Sequence, residues 1–399
     1  MRAPLIRHVG MSVLVTLTAS AHGFGDDGLR LNAAYSLSHD SNLFRLSDSS
    51  DARLLTGRSS SAESIGIASV GLAWTKSYSL QKFDLSFNVV DYRYRNFDYL
   101  SFTANNYKAD WLWSLTPRLR GLASSERTEV LNSFADFQGL NQRNTRVNLR
   151  TRVDGEFELD GVWRLLGGVS RSSQTNEAPV VAGDDTRTTA INGGTRYVFA
   201  SGSSMSYLYS MAQGRYTKRE ISPLLDDRFK QQNHELRLNW LFSGKSSADV
   251  SAAYLERRHP HVPVRDFSGL VTRASLQWNW TDKTLLVADF NRELAAYQTN
   301  DSNYTQTHRF TLGPVWKITP KVTMRVRHDF SNVDYRGQPS NLPASQRTDK
   351  INESQVALDW RPARSLLLSG SLAHSRRSSN QNNLDFRSTQ ANLTAQLSY

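Results

Sequence analysis

From Thr389 to Tyr399 apolar and polar residues take turns almost without error. Ala391, Leu393, Ala395, Leu397 and Tyr399 hold one parity, and Gln390, Asn392, Thr394, Gln396 and Ser398 hold the other. A period of two marks a strand with one apolar and one polar face. At about ten residues this segment is long enough to cross a bilayer at a barrel tilt. The separation returns between Asn144 and Phe157, where Thr145, Val147, Leu149, Thr151, Val153, Gly155 and Phe157 oppose Arg146, Arg150, Arg152, Asp154 and Glu156. It recurs with Leu236, Leu238, Trp240 and Phe242 against Asn233, Glu235, Arg237 and Asn239. It recurs again with Val322, Met324 and Val326 against Arg325, Arg327 and Asp329. One arginine facing lipid at the midplane costs about 2–4 kcal/mol, so the arginine parity has to face water.

Such strands recur about every twenty residues along the chain, and the connections between them alternate in length. Short ones carry turn chemistry: Lys76–Ser79, Thr116–Arg118, Asp160–Gly161, Ser201–Gly202, Ser243–Lys245, Asp282–Lys283, Thr319–Lys321 and Arg361–Ala363. Gly, Pro and Asp there set the backbone angles that a tight turn needs. Longer polar segments fall near 40–61, 96–104, 133–142, 175–186, 219–230, 258–267, 298–304, 336–350 and 378–385. Eight short turns and nine long loops join about eighteen antiparallel strands, with both ends of the chain on the short-turn side. The expected fold is therefore all-β: a closed antiparallel transmembrane barrel with short periplasmic turns and long external loops. Trp111, Trp113, Trp278, Trp280, Trp316 and Trp360 lie near predicted strand ends, as an interfacial aromatic girdle requires. A soluble all-β fold of this size would need a second layer over each apolar face, and would not need alternating loop lengths. Eighteen strands leave an aqueous lumen unless something plugs it. The expectation is a pore-sized lumen of mixed charge with a basic bias.

Composition narrows the compartment. The N-terminus has a basic stretch with Arg2 and Arg7, a mostly apolar run over Val9–Ala19 and an A-x-A site at Ala19-Ser20-Ala21. This predicts a secretory signal over residues 1–21, with the boundary uncertain by four residues, and a barrel over residues 22–399. The apolar run is too short for a spanning helix. The 399 residues contain no cysteine, so disulfides, thiolate metal sites and a lipidated cysteine are excluded. The net charge is +11, and a basic excess persists once residues 1–21 are removed. Anionic partners such as acidic polysaccharide or lipopolysaccharide would suit it.

Few residues suggest reaction chemistry. His259 and His261 form an H-x-H pair without a supporting ligand at metal spacing. Asp184-Asp185 and Asp226-Asp227 lack the further oxygen ligands of a calcium site. No G-x-S-x-G elbow and no phosphate-cradling glycine loop occurs, so neither an enzyme nor a cofactor is expected. Period-two alternation explains the interleaved arginines and aromatics without nucleic acid. The remaining candidates are the wet-parity arginines Arg146, Arg150, Arg152, Arg237, Arg325 and Arg327. They could form a ladder of loose sites for an anionic polymer. Equally, they could pair with Asp154, Glu156, Glu235 and Asp329 to fill the interior.

The first strand and its loop read LRLNAAYSLSHDSNLFRLSD; DFSGL follows at Asp266–Leu270, RELAAY at Arg292–Tyr297 and GPVWKITPKV at Gly313–Val322. In order and spacing these segments resemble the EpsL family, exopolysaccharide-biosynthesis outer-membrane proteins associated with the exosortase/PEP-CTERM system, within a β-barrel porin group. The resemblance runs over nearly the whole of residues 22–399. It implies a place in the outer membrane of a Gram-negative bacterium and a role in passing secreted polysaccharide, anionic or neutral, across it. It also implies a periplasmic polysaccharide export protein and a co-polymerase as partners. It supplies no catalytic residue and no motif containing the lumen arginines. A general diffusion porin and a closed docking barrel are the alternatives, and a plug formed by the loop near 40–61 would point to the latter.

Overall fold

The computed structural model describes residues 27–136, 142–299, 301–337 and 346–399. The predicted signal segment lies outside them. The first strands are β1 (Gly28–Asp40), β2 (Glu63–Tyr78), β3 (Gln81–Tyr94), β4 (Phe102–Thr116), β5 (Leu119–Leu131) and β6 (Thr145–Glu158). Next come β7 (Trp163–Asn176), β8 (Thr186–Val198), β9 (Ser204–Tyr216), β10 (Arg228–Ser243), β11 (Ser246–Arg258) and β12 (Phe267–Thr281). The last are β13 (Thr284–Ala296), β14 (Tyr304–Thr319), β15 (Val322–Arg336), β16 (Thr348–Ala363), β17 (Leu366–Ser379) and β18 (Phe386–Ser398). All belong to one 18-stranded sheet in which each strand pairs antiparallel with its sequence neighbours and β1 also pairs with β18. The sheet is a closed cylinder with no free edge.

The terminal alternation explains the closure. Leu37 sits opposite Leu393 and Tyr35 opposite Ala395 on the outside, while Ser36 meets Thr394 and Asp40 meets Gln390 on the inside. The hydroxyls of Ser36 and Thr394 are 2.8 Å apart. Leu31 and Tyr399 exchange both backbone hydrogen bonds at 2.8 Å, so the ladder reaches the last residue.

Parity continues around the wall. On β6 the odd positions Leu149, Val153 and Phe157 are exposed, whereas Arg146, Arg150 and Arg152 are half-buried on the other face. Some strands reach 16 residues, more than a bilayer crossing needs. The surplus shows on the outward face of β10, where Leu236, Leu238, Trp240 and Phe242 give way to His234, Gln232, Lys230 and Arg228 toward the long loops. The outer wall thus has an apolar zone and a polar zone. Glycine serves a specific purpose beneath Trp113: a Cβ on Gly121 would lie 2.0 Å from the Asp154 carbonyl and 2.4 Å from the indole.

Local boundaries differ in places from the expected ones. The first short turn falls at Ser79-Leu80, with Ser79 at φ 52°, and Lys76–Tyr78 remain in β2. Arg361–Ala363 end β16 rather than leave it, and the pairing with β17 jumps from Trp360 to Ala363 because Pro362 cannot donate to the ladder. The first long loop also holds a five-residue helix α1 (Ala52–Thr56), started by the Asp51 side chain on the Arg53 amide and stopped by Gly57 at φ 75°. Period reading misses so short an element because local caps, rather than an amphipathic stripe, define it.

Leu393 is 67% exposed within the apolar run. Leu393→Arg is expected to cost about 2–4 kcal/mol in guanidinium unfolding from lipid vesicles, whereas arginine at its inward neighbour Asn392 should cost much less. Equal costs would refute the assignment of faces.

Candidate functional site: the lumen and its inward-folded loops

The inward faces of β2, β3 and β4 carry residues that a water-filled channel would not choose. Ile65, Ile67, Val90, Tyr94 and Ala104 are all buried there, under other parts of the chain. The β1–β2 loop brings Phe44 and Leu46, with Leu55 of α1 behind them; the β3–β4 connection brings Phe97 and Leu100, and the β5–β6 loop brings Phe134. Phe44 stands edge-on to Phe97 at 4.7 Å between ring centres and lies 4.6 Å from Phe134. Burying each large apolar side chain contributes roughly 1.5–3 kcal/mol. These loops therefore fill one side of the lumen with an apolar core. The expected lining of mixed charge is interrupted on this side by the apolar core. The signal lay in β2 itself, where Ile65 and Ile67 make the wet parity as apolar as Val70 and Leu72 on the dry one.

Polar anchors fix the roots of these loops. Asp40 and Arg45 form a buried ion pair at 2.8 Å, and Asp40 also accepts hydrogen bonds from Ser388 and Gln390 of β18. Asn42 donates to the carbonyls of Leu46 and Arg387. At the top of β2 the buried Glu63 carboxylate accepts from the amides of Arg95, Asn96 and Phe97, which holds Phe97 over the loop. A longer tie crosses the lumen. Arg377 of β17 donates to the Ala135 carbonyl of the β5–β6 loop at 2.6 Å and to the Leu384 carbonyl at 2.6 Å, with the Phe386 ring 4.9 Å away. β18 and β1–β4 lie between β17 and β5 around the wall, so this contact spans the interior.

All six arginines singled out from the sequence lie on the inward parity. Most stand beside a carboxylate. Arg152 is 3.6 Å from Asp154, Arg237 is 2.9 Å from Glu235, Arg327 is 2.6 Å from Asp329, and Arg325 pairs with Asp359. Arg146 is different: among the described residues it has no ion-pair partner, and its buried Nε has no hydrogen-bond partner. Sequence reading missed a second group, because its members come from separate strands. Arg120 of β5, Arg164 of β7 and Arg196 of β8 all converge on Glu156 of β6, leaving a local excess of positive charge. The lumen face of β6 thus carries guanidinium groups from its short-turn end, through Arg152 and Arg150, to Arg146 near the loops.

The remaining loops form a second knot above β7–β14. Arg265, 1% exposed, donates to the carbonyls of Leu224, Thr299 and Ser302 and to Asn303 Oδ1, sewing three loops together. Arg219 donates to the Gly183 carbonyl and pairs with Asp184 at 2.7 Å. The H-x-H pair diverges. His259 is buried against Gln298, whereas His261 turns to Asp226 at 3.0 Å. Asp226, Asp227 and His261 do come together, but Asp226 already accepts from His261 and from the Arg228 amide, and Asp227 is held by Arg228 and Arg215. Asp184 and Asp185 are likewise held, by Arg219 and by Asn176 and Lys218. These groups serve as loop anchors.

A family model described as "Putative beta-barrel porin 2" matches residues 238–399. No curated protein matches the chain. Among solved structures the chain is similar to OccK1 (OpdK) of Pseudomonas aeruginosa, with TM-score 0.51 and 10% identity over 93% of this chain and 99% of that one. It is similar to P. aeruginosa OccK2 (OpdF), solved in complex with glucuronate, with TM-score 0.51 and 10% identity over 94% and 98%. A BenF-like porin from Pseudomonas fluorescens Pf-5 gives TM-score 0.52 and 10% identity over 94% and 100%. At such identities the likeness is one of fold: the closed 18-stranded antiparallel barrel of outer-membrane porins.

Removing the Arg377 guanidinium strands two carbonyls. Arg377→Ala should weaken loop docking by about 1–3 kcal/mol, a roughly 5- to 150-fold shift toward the undocked state. Planar-bilayer recordings should then show larger or longer openings than wild type, with Phe134→Ser acting in the same direction. Unchanged conductance in both would mean that the apolar core does not limit the pore.

Burial, and then the Arg257 charge, hold the His259 imidazole below its ordinary value, with the Asp266 carboxylate opposing. An imidazole lowered on folding adds stability that is complete above its unfolded pKa of about 6.5 and is lost as pH falls toward the folded value. Protection factors of the amides in residues 259–266, corrected for the intrinsic pH dependence of exchange, should therefore fall between pH 7.5 and 5, and His259→Gln should flatten the response. An equal fall in the variant would assign the effect to other groups.

Proposed function

We propose that the barrel is an outer-membrane channel for anionic saccharides, and that its cargo is a secreted exopolysaccharide. The fold supports the coarser half of this reading, since a closed 18-stranded antiparallel barrel with an apolar outer zone is the architecture of outer-membrane porins. The observation that carries the finer half is the β6 side of the lumen. There Glu156 faces Arg120, Arg164 and Arg196, and Arg152, Arg150 and Arg146 follow at steps of about 7 Å or more along the strand. Partly neutralised guanidinium groups hold carboxylates loosely, and conduction needs several weak sites rather than one tight one. The OccK2 structure in complex with glucuronate is consistent with a uronate entering a barrel of this build. The sequence resemblance to the EpsL family adds exopolysaccharide as the cargo. It also supplies a periplasmic export protein and a co-polymerase as proposed partners, with no catalytic step in the barrel itself.

A second reading, a channel for small solutes, is supported by the apolar core under Phe44, Phe97 and Phe134, which narrows the lumen; because Phe44 comes from the loop near 40–61, the same core also keeps the closed docking barrel as an alternative. Deletion separates the two. For the first reading, surface polymer should disappear and polymer should accumulate in the periplasm. Charge reversal at Arg146, Arg150 and Arg152 together should reproduce that loss while the yield of heat-modifiable barrel stays level. Normal surface polymer in the deletion strain would remove the export role. Glucuronate-driven swelling of liposomes carrying the purified barrel would then assign it to small solutes.

A further inference from the structure

The polar zone of the outer wall carries a run of positive charge across β7–β11, with a smaller one where Arg376 of β17 stands opposite Arg387 of β18. Arg187 of β8 is the direct cross-strand partner of Arg215 of β9, which on its other flank partners Arg228 of β10. Lys230 of β10 is in turn the direct partner of Arg258 of β11. Arg171 of β7 stands opposite Thr189, two residues from Arg187 on the same face. All six side chains are exposed and point away from the lumen. Like charges directly opposite each other destabilise a sheet. Two carboxylates offset part of this: Asp227 beside Arg215 and Arg228, and Glu256 beside Arg258. Among the described residues, Arg171, Arg187 and Lys230 have no ion-pair or side-chain hydrogen-bond partner.

Height on the wall identifies the missing counter-charge. Along the same outward parity the patch runs into exposed Val169, Ile191, Met211 and Leu236, which belong to the apolar zone. Arg187 and Ile191 are four residues apart, about 13 Å along a strand and roughly 10 Å along the barrel axis at the usual tilt. That spacing places the guanidinium groups at the headgroup level of the leaflet nearest the long loops. Guanidinium forks match phosphate oxygens two at a time, and clustered forks suit a headgroup with more than one phosphate. We propose that Arg171, Arg187, Arg215, Arg228, Lys230 and Arg258 form a site for a phosphorylated glycolipid of the outer leaflet, of the lipopolysaccharide type. Its phosphates lie on the cations and its acyl chains along Val169, Ile191, Met211 and Leu236. The site is on the outside of the barrel, so it stands or falls independently of what passes through the lumen.

The test uses the full-length barrel purified in mild detergent and native mass spectrometry with defined rough lipopolysaccharide as the probe. Wild type should retain bound lipid. The retained fraction should fall about tenfold or more in Arg187→Glu/Arg215→Glu, and by a similar factor when the lipid is first dephosphorylated. Lys283→Glu, an exposed lysine in a short turn at the opposite rim, should leave retention unchanged and controls for general charge effects. Heat-modifiable gel mobility confirms that each variant is folded. Equal retention by the double variant, or of dephosphorylated lipid, would overturn the proposal. Displacement of the lipid by millimolar inorganic phosphate would overturn it as well, by assigning the patch to free anions.

Discussion

Hydrocarbon offers no hydrogen bonds, so every backbone amide and carbonyl that meets it must find a partner in the chain itself. For a sheet the one complete solution is closure, and in this protein closure is the pairing of β1 with β18. That seam does more than abolish two edges. Because side chains alternate with a period of two, the register chosen at the seam decides which residues of both strands face lipid. A slip of β1 by one residue would turn Asp40 and Ser38 outward and Leu37 inward. The Asp40 carboxylate guards against this, since it is held at once by Arg45 in the loop and by Ser388 and Gln390 across the seam. Loop docking and barrel closure therefore share one buried charge.

The wall was legible in the sequence because the rule that produces it is local. Leu149, Val153 and Phe157 declare their side of β6 without reference to any other strand, and Gly, Pro and Asp mark turns by their own backbone preferences. The strand count and the alternation of turn and loop followed from repetition of that rule. The contents of the lumen were less legible, because they depend on residues brought together from distant strands. Arg120, Arg164 and Arg196 each look like one more wet-parity arginine, and only the order β5–β8 reveals that they share Glu156. The apolar core was legible in part. Ile65 and Ile67 broke the alternation in plain view, but their covering residues Phe44, Phe97 and Phe134 come from three loops whose paths no periodicity encodes.

Lumen and loops follow from the same electrostatic limit. An arginine in a partly dry interior needs a counter-charge or a set of carbonyls, and the chain uses both. Arg237, Arg325 and Arg327 take carboxylates on their own or adjacent strands, which keeps them on the wall. Arg265 takes carbonyls of other loops, as Arg377 does while also lying 3.9 Å from the buried Asp349 carboxylate, and a donor with several oriented N–H groups joins segments that have no regular structure of their own. Wall arginines stay against the barrel, whereas hub arginines join loops to one another. The distinction lies in the partner rather than in the residue, which is why composition alone gave a single basic excess.

The outer wall shows how such a cylinder acquires a direction. All nine tryptophans, from Trp74 on β2 to Trp360 on β16, lie toward the short-turn ends of their strands. Outward-facing histidines lie at the other border of the apolar zone. His39, His234, His308, His328 and His374 each have an apolar residue two positions nearer the short turns: Leu37, Leu236, Phe310, Val326 and Leu372. Above them stand Arg171, Arg187, Arg215, Arg228 and Arg258. An indole suits any bilayer interface, because its ring is apolar and its N–H is not. A guanidinium suits best an interface rich in phosphate. A cylinder with indoles at one rim and guanidinium groups at the other therefore has two unlike ends, and the guanidinium rim is the one that suits a more anionic leaflet.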